Sequence, residues 1–356
     1  MDKLDGLSFG SPALWFEEGV MCLRQGDAAR ALQQLERAAP HYADDPELHS
    51  FLGSAHYALD NYDAAYEEFA RAVSLQPDNP AHHADLGNAA MMRGELQEAV
   101  GYFEQAIALQ PERGRYSYLL GCLLSEKAGQ PQDGLPYLEE AARREPRNAE
   151  FRLWLGLALQ RMKRHDEALP HLQAAREADP RNADCAYHLG VCHLSRYALQ
   201  DALHAFKAAI DLDPGPAEHW GILGRTLFQA ANYELAADAL REAIKRDGDN
   251  PYYHNMLGAV LSAAERPQEA RAAFQQATVI DPENPEYRYN LGTACLATGD
   301  PSRAEDALRR AVALAPERGD YWKNLSLALH ALGKSEEAAS ALENSRRYSE
   351  GSDVHA

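Results

Sequence analysis

Glycines recur along this chain at Gly19, Gly53, Gly87, Gly121, Gly156, Gly190, Gly224, Gly258 and Gly292, spaced by 34 residues except for one gap of 35. Only 24 glycines occur in 356 residues, so this regularity is a structural period and not chance. A fixed period of this size marks a repeat architecture in which each unit is one supersecondary element stacked on its neighbours. With the glycine at position 8, the chain divides into a lead (1–11), ten units and a tail (353–356). The units are 12–45, 46–79, 80–113, 114–148, 149–182, 183–216, 217–250, 251–284, 285–318 and 319–352, expected to stack as one continuous solenoid.

Other positions share the register. Position 20 is small throughout, from Ala31 to Ala338 with Gly134 in the fourth unit, and position 27 is small from Ala38 to Ser345. Position 24 is always Leu or Phe, as in Leu35, Phe69 and Phe206, and seven units carry proline at position 32, such as Pro77 and Pro282. Positions 4, 7, 8 and 11 make an i, i+3, i+4, i+7 stripe, and positions 20, 24 and 27 make a second, so each unit reads as two amphipathic helices. Gly26, Gly94, Gly299 and Gly333 stand where a helix-ending glycine is expected, and Pro267 and Pro301 where a first-turn proline is tolerated. The small residues at positions 8 and 20 predict a close approach of two backbones. In the fourth unit an extra residue in the turn Lys127–Gly134 predicts a local irregularity.

The residues resemble the tetratricopeptide repeat family, whose W-x2-L-G-x2-Y, A, F, A and P pattern is met in register from 12 to 352. The best single match is Trp220, Leu223 and Gly224 with Ala236, Leu240 and Ala243, although Gly248 replaces the proline. The resemblance implies an all-α fold, a right-handed superhelical solenoid of helix-turn-helix hairpins. In that fold the first helices line a concave surface and the second helices a convex one. A hairpin alone buries too little, so stability comes from stacking and the ends need polar caps. Ser326, Arg346, Arg347 and Ser349 are read as such a cap, turning the last hairpin toward water.

Composition narrows the function. With 54 acids against 35 Lys plus Arg the formal charge is −19, which repels a duplex or an anionic bilayer, so no nucleic-acid partner is expected. No stretch reaches the 18 or so uncharged apolar residues of a spanning helix, so no direct membrane insertion is expected. The start, Met1 to Gly6, has two acids and no apolar core, which fits neither a signal nor a transit peptide and leaves the cytoplasm as the expected location. Arg outnumbers Lys 28 to 7, a bias of GC-rich bacterial genomes. Acids concentrate at the front, where residues 1 to 100 carry net charge −11.

The face positions 2, 5, 6, 9, 12 and 13 of the first helices are not dictated by the hairpin, and the resemblance places them on the concave side. Phe16, Phe51, Tyr57, Met91, Met92, Tyr118, Trp154, Tyr187, Phe228 and Tyr289 occur there, more apolar bulk than a solvated surface carries. The competing reading is that some of them pack on the neighbouring first helix. Position 2 is acidic in Glu47, Glu150, Asp184, Glu218, Glu286 and Asp320, which predicts a polypeptide partner with apolar anchors and basic residues. Asn88 at position 9 lacks the Lys, Asn and Arg companions of the carboxylate clamp known in the family. Asn290 and Asn324 at position 6 supply at most a short polar patch.

Fragments with a chemical look dissolve into the repeat. Cys185, His188 and Cys192 share a helix face, but positions 3 and 10 hold packing residues elsewhere, so the cysteines read as small buried hydrophobes. His49, His56, His82 and His83 lack ligand companions, and Gly333-Lys334-Ser335 lacks the strand and upstream glycine of a phosphate loop. No catalytic residue, metal or cofactor is expected, and the chain reads as a binding scaffold. The alternative is a structural subunit that self-associates through its ends or convex face.

Overall fold

The computed structural model describes residues 11–350, with side chains to Tyr348. The sequence-defined lead, except its last residue, and the tail lie outside the described residues, as does the Ser349 side chain. The chain resolves into two compact units divided at Pro180 and Arg181, each containing five helical hairpins. In the first unit the hairpins are α1 (Pro12–Arg24) with α2 (Ala28–Ala38), α3 (Pro46–Ala58) with α4 (Tyr62–Leu75), and α5 (Pro80–Met92) with α6 (Leu96–Leu109). They continue with α7 (Gly114–Cys122) and α8 (Pro131–Arg144), then α9 (Ala149–Arg161) and α10 (His165–Ala178). The second unit comprises α11 (Ala183–Ser195) with α12 (Leu199–Leu212), α13 (Ala217–Gln229) with α14 (Tyr233–Arg246), and α15 (Pro251–Ala263) with α16 (Pro267–Ile280). It ends with α17 (Pro285–Ala297) and α18 (Pro301–Leu314), then α19 (Gly319–Ala331) and α20 (Ser335–Glu350). Each unit is therefore an α-solenoid, as the 34-residue period predicts.

Within a hairpin the position-8 glycine is a socket. A Cβ at Gly53 would stand 2.6 Å from the Phe69 ring, and one at Gly190 would stand 2.5 Å from Phe206. The expected backbone approach is thus joined by a side-chain fit, because the volume vacated by position 8 is filled by Leu or Phe at position 24. Backbone approach itself shows at Gly224, whose Cβ would lie 3.2 Å from the Ala236 carbonyl oxygen. Leu35, Leu138, Leu172, Phe206 and Leu240 are fully buried as a result. In the last hairpin Ser326 replaces the glycine, and its buried hydroxyl donates to the Ala338 carbonyl at 2.8 Å. Ser345 likewise donates to the Gly319 carbonyl. The cap assigned to Ser326 is corrected accordingly: it closes the hairpin internally, while Arg346, Arg347 and Leu342 are exposed.

Each hairpin turns through one residue in the left-handed region. Five of these are glycines, among them the four anticipated, and five are Asp60, Lys163, Tyr197, Ala231 and Glu265 at φ between 57° and 60°. The extra residue of the fourth hairpin enters the first helix and not the turn, as a π-helical segment Leu123–Lys127 in which the Ala128 N–H reaches back to the Leu123 carbonyl. Gly134 then sits where a Cβ would lie 2.2 Å from Ser125 Oγ and 2.5 Å from the Gly121 carbonyl oxygen.

Two side-chain devices join successive hairpins. Position 34 caps the following first helix, as when Asn148 accepts from the Glu150 N–H and Asn284 from the Glu286 N–H. In seven hairpins position 4 bears a side-chain N–H that bonds the position-32 carbonyl six residues earlier. His49, His83, Arg152, Trp220, His254, Arg288 and Trp322 all do so, at 2.8 to 3.2 Å. A carbonyl only accepts, so each of these histidines presents Nε2–H. The position-4 stripe read as apolar is therefore a polar clamp on the inter-hairpin turn.

Candidate functional site

In the first unit Phe16 meets Phe51 edge-on at 5.8 Å and Tyr42 at 5.5 Å, and both phenylalanines are half-buried against the core of the first two hairpins. Tyr57 lies edge-on to Tyr62 at 5.5 Å, and burial pushes its hydroxyl pKa up. Asn88 is half-buried, Met91 packs against the cluster around Phe103 and Tyr116, and Met92 is exposed. Asp85 on the same helix is half-buried, and desolvation lifts its carboxyl to about 6 despite the nearby Arg115.

A recurrent pair emerges further along. Tyr118 at position 5 stacks on Phe151 at 4.8 Å, touches Trp154 edge-on at 6.4 Å, and donates its hydroxyl to Glu150 Oε1 at 2.7 Å. Tyr187, also at position 5, stacks on His219 at 5.0 Å and donates to Glu218 Oε1. In both cases the tyrosine of one first helix reaches the position-2 carboxylate of the next, and burial raises the phenol pKa. Tyr289 stacks on Tyr321 at 4.6 Å, while Asp320 is bridged to Arg318, which holds its carboxyl below the usual range. Position-5 aromatics thus pack their rings on the next first helix, as the competing reading has it, and remain half-exposed.

The second unit gathers a cleft from these parts. Tyr187, Glu218, Gly221, Arg225 and Tyr252 line a cavity of about 290 Å³ on the first-helix face. Gly221 lets the Tyr253 ring pack close against α13, since a Cβ there would stand 2.4 Å from that ring. Arg225 Nε is buried within the second unit without a hydrogen-bond partner, and Tyr252 is 37% exposed. Sequence reasoning had not selected Arg225, Tyr252 or Gly221. Its available signals were a cation at face position 9 and a second glycine three residues before the periodic one. Asp184 is exposed on α11, and Phe228 is half-buried beside Tyr233 at 6.0 Å, outside the residues lining that cleft. Asn290 donates to Asn255 at 2.9 Å and Asn324 to Thr293 at 3.0 Å, so these amides tie adjacent first helices together.

Cys185 and Cys192 are fully buried. Among the described residues no group of three or more His, Cys, Asp or Glu side chains has the geometry to hold a metal ion, and no helix is long and apolar enough to cross a membrane.

Models of the tetratricopeptide repeat match residues 18–80, 52–114, 84–124, 123–183, 155–217, 199–251 and 222–285. Two further models described in the same words match 261–329 and 324–344. No curated protein matches the chain. Among solved structures it is similar to YrrB, described as a TPR protein with an unusual peptide-binding site, at 27% identity over 51% of this chain and 92% of that one, with a TM-score of 0.42. It is similar to MamA from Desulfovibrio magneticus RS-1 at 20% identity over 48% and 96% of the two chains, with a TM-score of 0.46. A chain of the APC/C hetero-tetramer Cut9–Hcn1 is 16% identical over 96% of this chain and 88% of that one, with a TM-score of 0.48.

Proposed function

Because the chain belongs to the tetratricopeptide repeat family, whose role is protein interaction, we propose that it is a non-catalytic scaffold binding a polypeptide segment along its first-helix face. The cleft of Tyr187, Glu218, Arg225 and Tyr252 carries the reading. An unpartnered, buried guanidinium nitrogen beside half-exposed rings suits an extended segment: Arg225 donates to a ligand carbonyl, the tyrosines take an apolar anchor, and the exposed carboxylates of Asp184 and Glu218 take basic side chains. The ligand is therefore amphipathic and basic, and the scaffold works in the cytoplasm.

Affinity capture from native extract with the intact chain, followed by titration of the captured partner's peptides, tests this. Replacing Tyr252 with Ala should weaken binding by roughly 1 to 3 kcal/mol if the ring is a buried anchor. Affinity should also fall with added salt. A partner that binds the double variant Arg225→Ala, Tyr252→Ala as tightly as the intact chain moves the interaction off this face.

A further inference from the structure

A second cavity of the second unit, about 530 Å³, lies over α17 between α16 and α18, away from the first-helix cleft. Arg271 of α16, Arg288 of α17 and Arg303 and Arg310 of α18 all line it, against a single lining acid, Asp306. Leu291, Cys295 and Ala307 are buried and form its apolar floor. The carboxylate available to these arginines is shared: Asp300 lies 3.7 Å from Arg271 and 3.6 Å from Arg303. Arg288 spends its Nε on the Pro282 carbonyl. Its pKa is pushed down by burial and by the like charge of Arg310, with Glu283 opposing.

The equivalent grooves on either side are wired in the opposite sense. Between α14 and α16, Arg241 bridges Asp238 at 2.9 Å and Glu269 at 3.7 Å. Between α18 and α20, Arg309 bridges Glu305 and Glu337. In each of those grooves an arginine lies between two acids, one of which a second cation also holds: Arg266 bridges Glu269 and Lys334 bridges Glu305, each at 2.7 Å. In the groove over α17 the positions of Asp238, Arg241 and Glu269 hold Ala272, Gln275 and Arg303, those of Glu305, Arg309 and Glu337 hold Arg271, Gln275 and Arg303, and Arg288 and Arg310 are added. The lining side chains sum to +3, or +2 when Asp300 is counted, in a chain whose total is −19. The remote negative charge matters little here, since it is screened beyond about 8 Å at physiological salt. Guanidinium forks at this density match tetrahedral oxyanions, which accept paired N–H donors.

We propose that this cavity binds a dianionic phosphoryl group, as inorganic phosphate or a small phosphomonoester. A dianion neutralises the +2 excess, and the cavity exceeds a bare phosphate in size, leaving an apolar floor for an ester's organic body. The test is calorimetric titration of the full chain with phenyl phosphate, inorganic phosphate and benzoate, at ionic strength matched with sodium chloride. Saturable binding of either phosphate is expected, at least about tenfold tighter than benzoate. Phenyl phosphate binding more tightly than inorganic phosphate assigns the site to an ester, and equal affinities assign it to the free ion. In the double variant Arg303→Gln, Arg310→Gln, both exposed side chains, affinity should fall about tenfold or more, while Arg241→Gln in the adjacent groove leaves it unchanged. The helical circular dichroism of each variant checks that the hairpins persist. Absence of saturable phosphate binding at millimolar concentration, benzoate binding as tightly as phosphate, or equal affinity in the folded double variant overturns the assignment.

Discussion

Gly134→Ala tests the packing logic of the hairpins most directly, because the added atom has nowhere to go. An alanine Cβ at this position would lie 2.2 Å from Ser125 Oγ, 2.5 Å from the Gly121 carbonyl oxygen and 3.0 Å from the Ser125 nitrogen. The hydroxyl can rotate away, but the other two are backbone atoms of the helix bearing the π-helical segment. Ordinary contact begins near 3.4 Å, so the Gly121 carbonyl must retreat by about 0.9 Å, which separates α7 and its continuation from α8. Overpacking of this kind costs roughly 3 kcal/mol, at the upper end of the usual range, and the better helix propensity of Ala offsets about 1 kcal/mol of it. A net loss of about 2 kcal/mol is expected. Gly101→Ala in α6 is the matched control: its Cβ meets nothing within 4 Å, so it should stabilise by up to about 1 kcal/mol. Stacked repeats do not unfold in a single two-state step, so denaturation followed by circular dichroism should be read with amide exchange of α7 and α8. Exchange in those helices that is as slow in Gly134→Ala as in the parent refutes the reasoning.

Three further outcomes are expected. Asp85 titrates near 6 in the folded chain and near 3.8 in the unfolded one, so the folded state holds its proton longer; stability falls as pH rises from about 4 to 6, by about 3 kcal/mol at 1.4 kcal/mol per unit. Asp85→Asn should remove that slope and stabilise the protein at neutral pH, as read by denaturant midpoints across the window; a parallel pH profile in the variant contradicts the buried-carboxyl account. Trp322→Phe keeps an aromatic ring but removes the indole N–H that bonds the Pro316 carbonyl together with some packing, and should lose about 1 kcal/mol or more, which thermal melting of the purified chain detects. Ala231→Gly relieves a left-handed residue at φ 57° and should gain roughly 0.5 to 1 kcal/mol in the same assay, whereas a loss would mean that the turn is unstrained.

Much of the solenoid is written in the linear sequence, because the core fit of each hairpin joins residues about half a period apart. Gly53 and Phe69, or Gly224 and Leu240, lie 16 positions apart in one hairpin, so the small residue and its filler repeat in phase and are read as a pair. The fourth unit's irregularity was legible for the same reason, as one residue too many, although its absorption into a π-helical segment depends on how α7 packs against α8. Contacts between hairpins follow another logic. Tyr118 reaches Glu150, Tyr187 reaches Glu218 and Arg309 reaches Glu337 only because stacking brings residues 28 to 32 positions apart to the same place. The position-4 clamp escaped the sequence reading because Trp, His and Arg share no hydropathy, only an N–H at a fixed height above the turn. Likewise Lys163, Tyr197, Ala231 and Glu265 carry no mark of a left-handed turn; closure of the two helices around them imposes it. Hairpin identity and order thus come from local periodicity, whereas the cleft at Arg225 and the arginine cavity over α17 arise from the lateral offset between stacked hairpins, which side-chain packing sets and no single unit encodes.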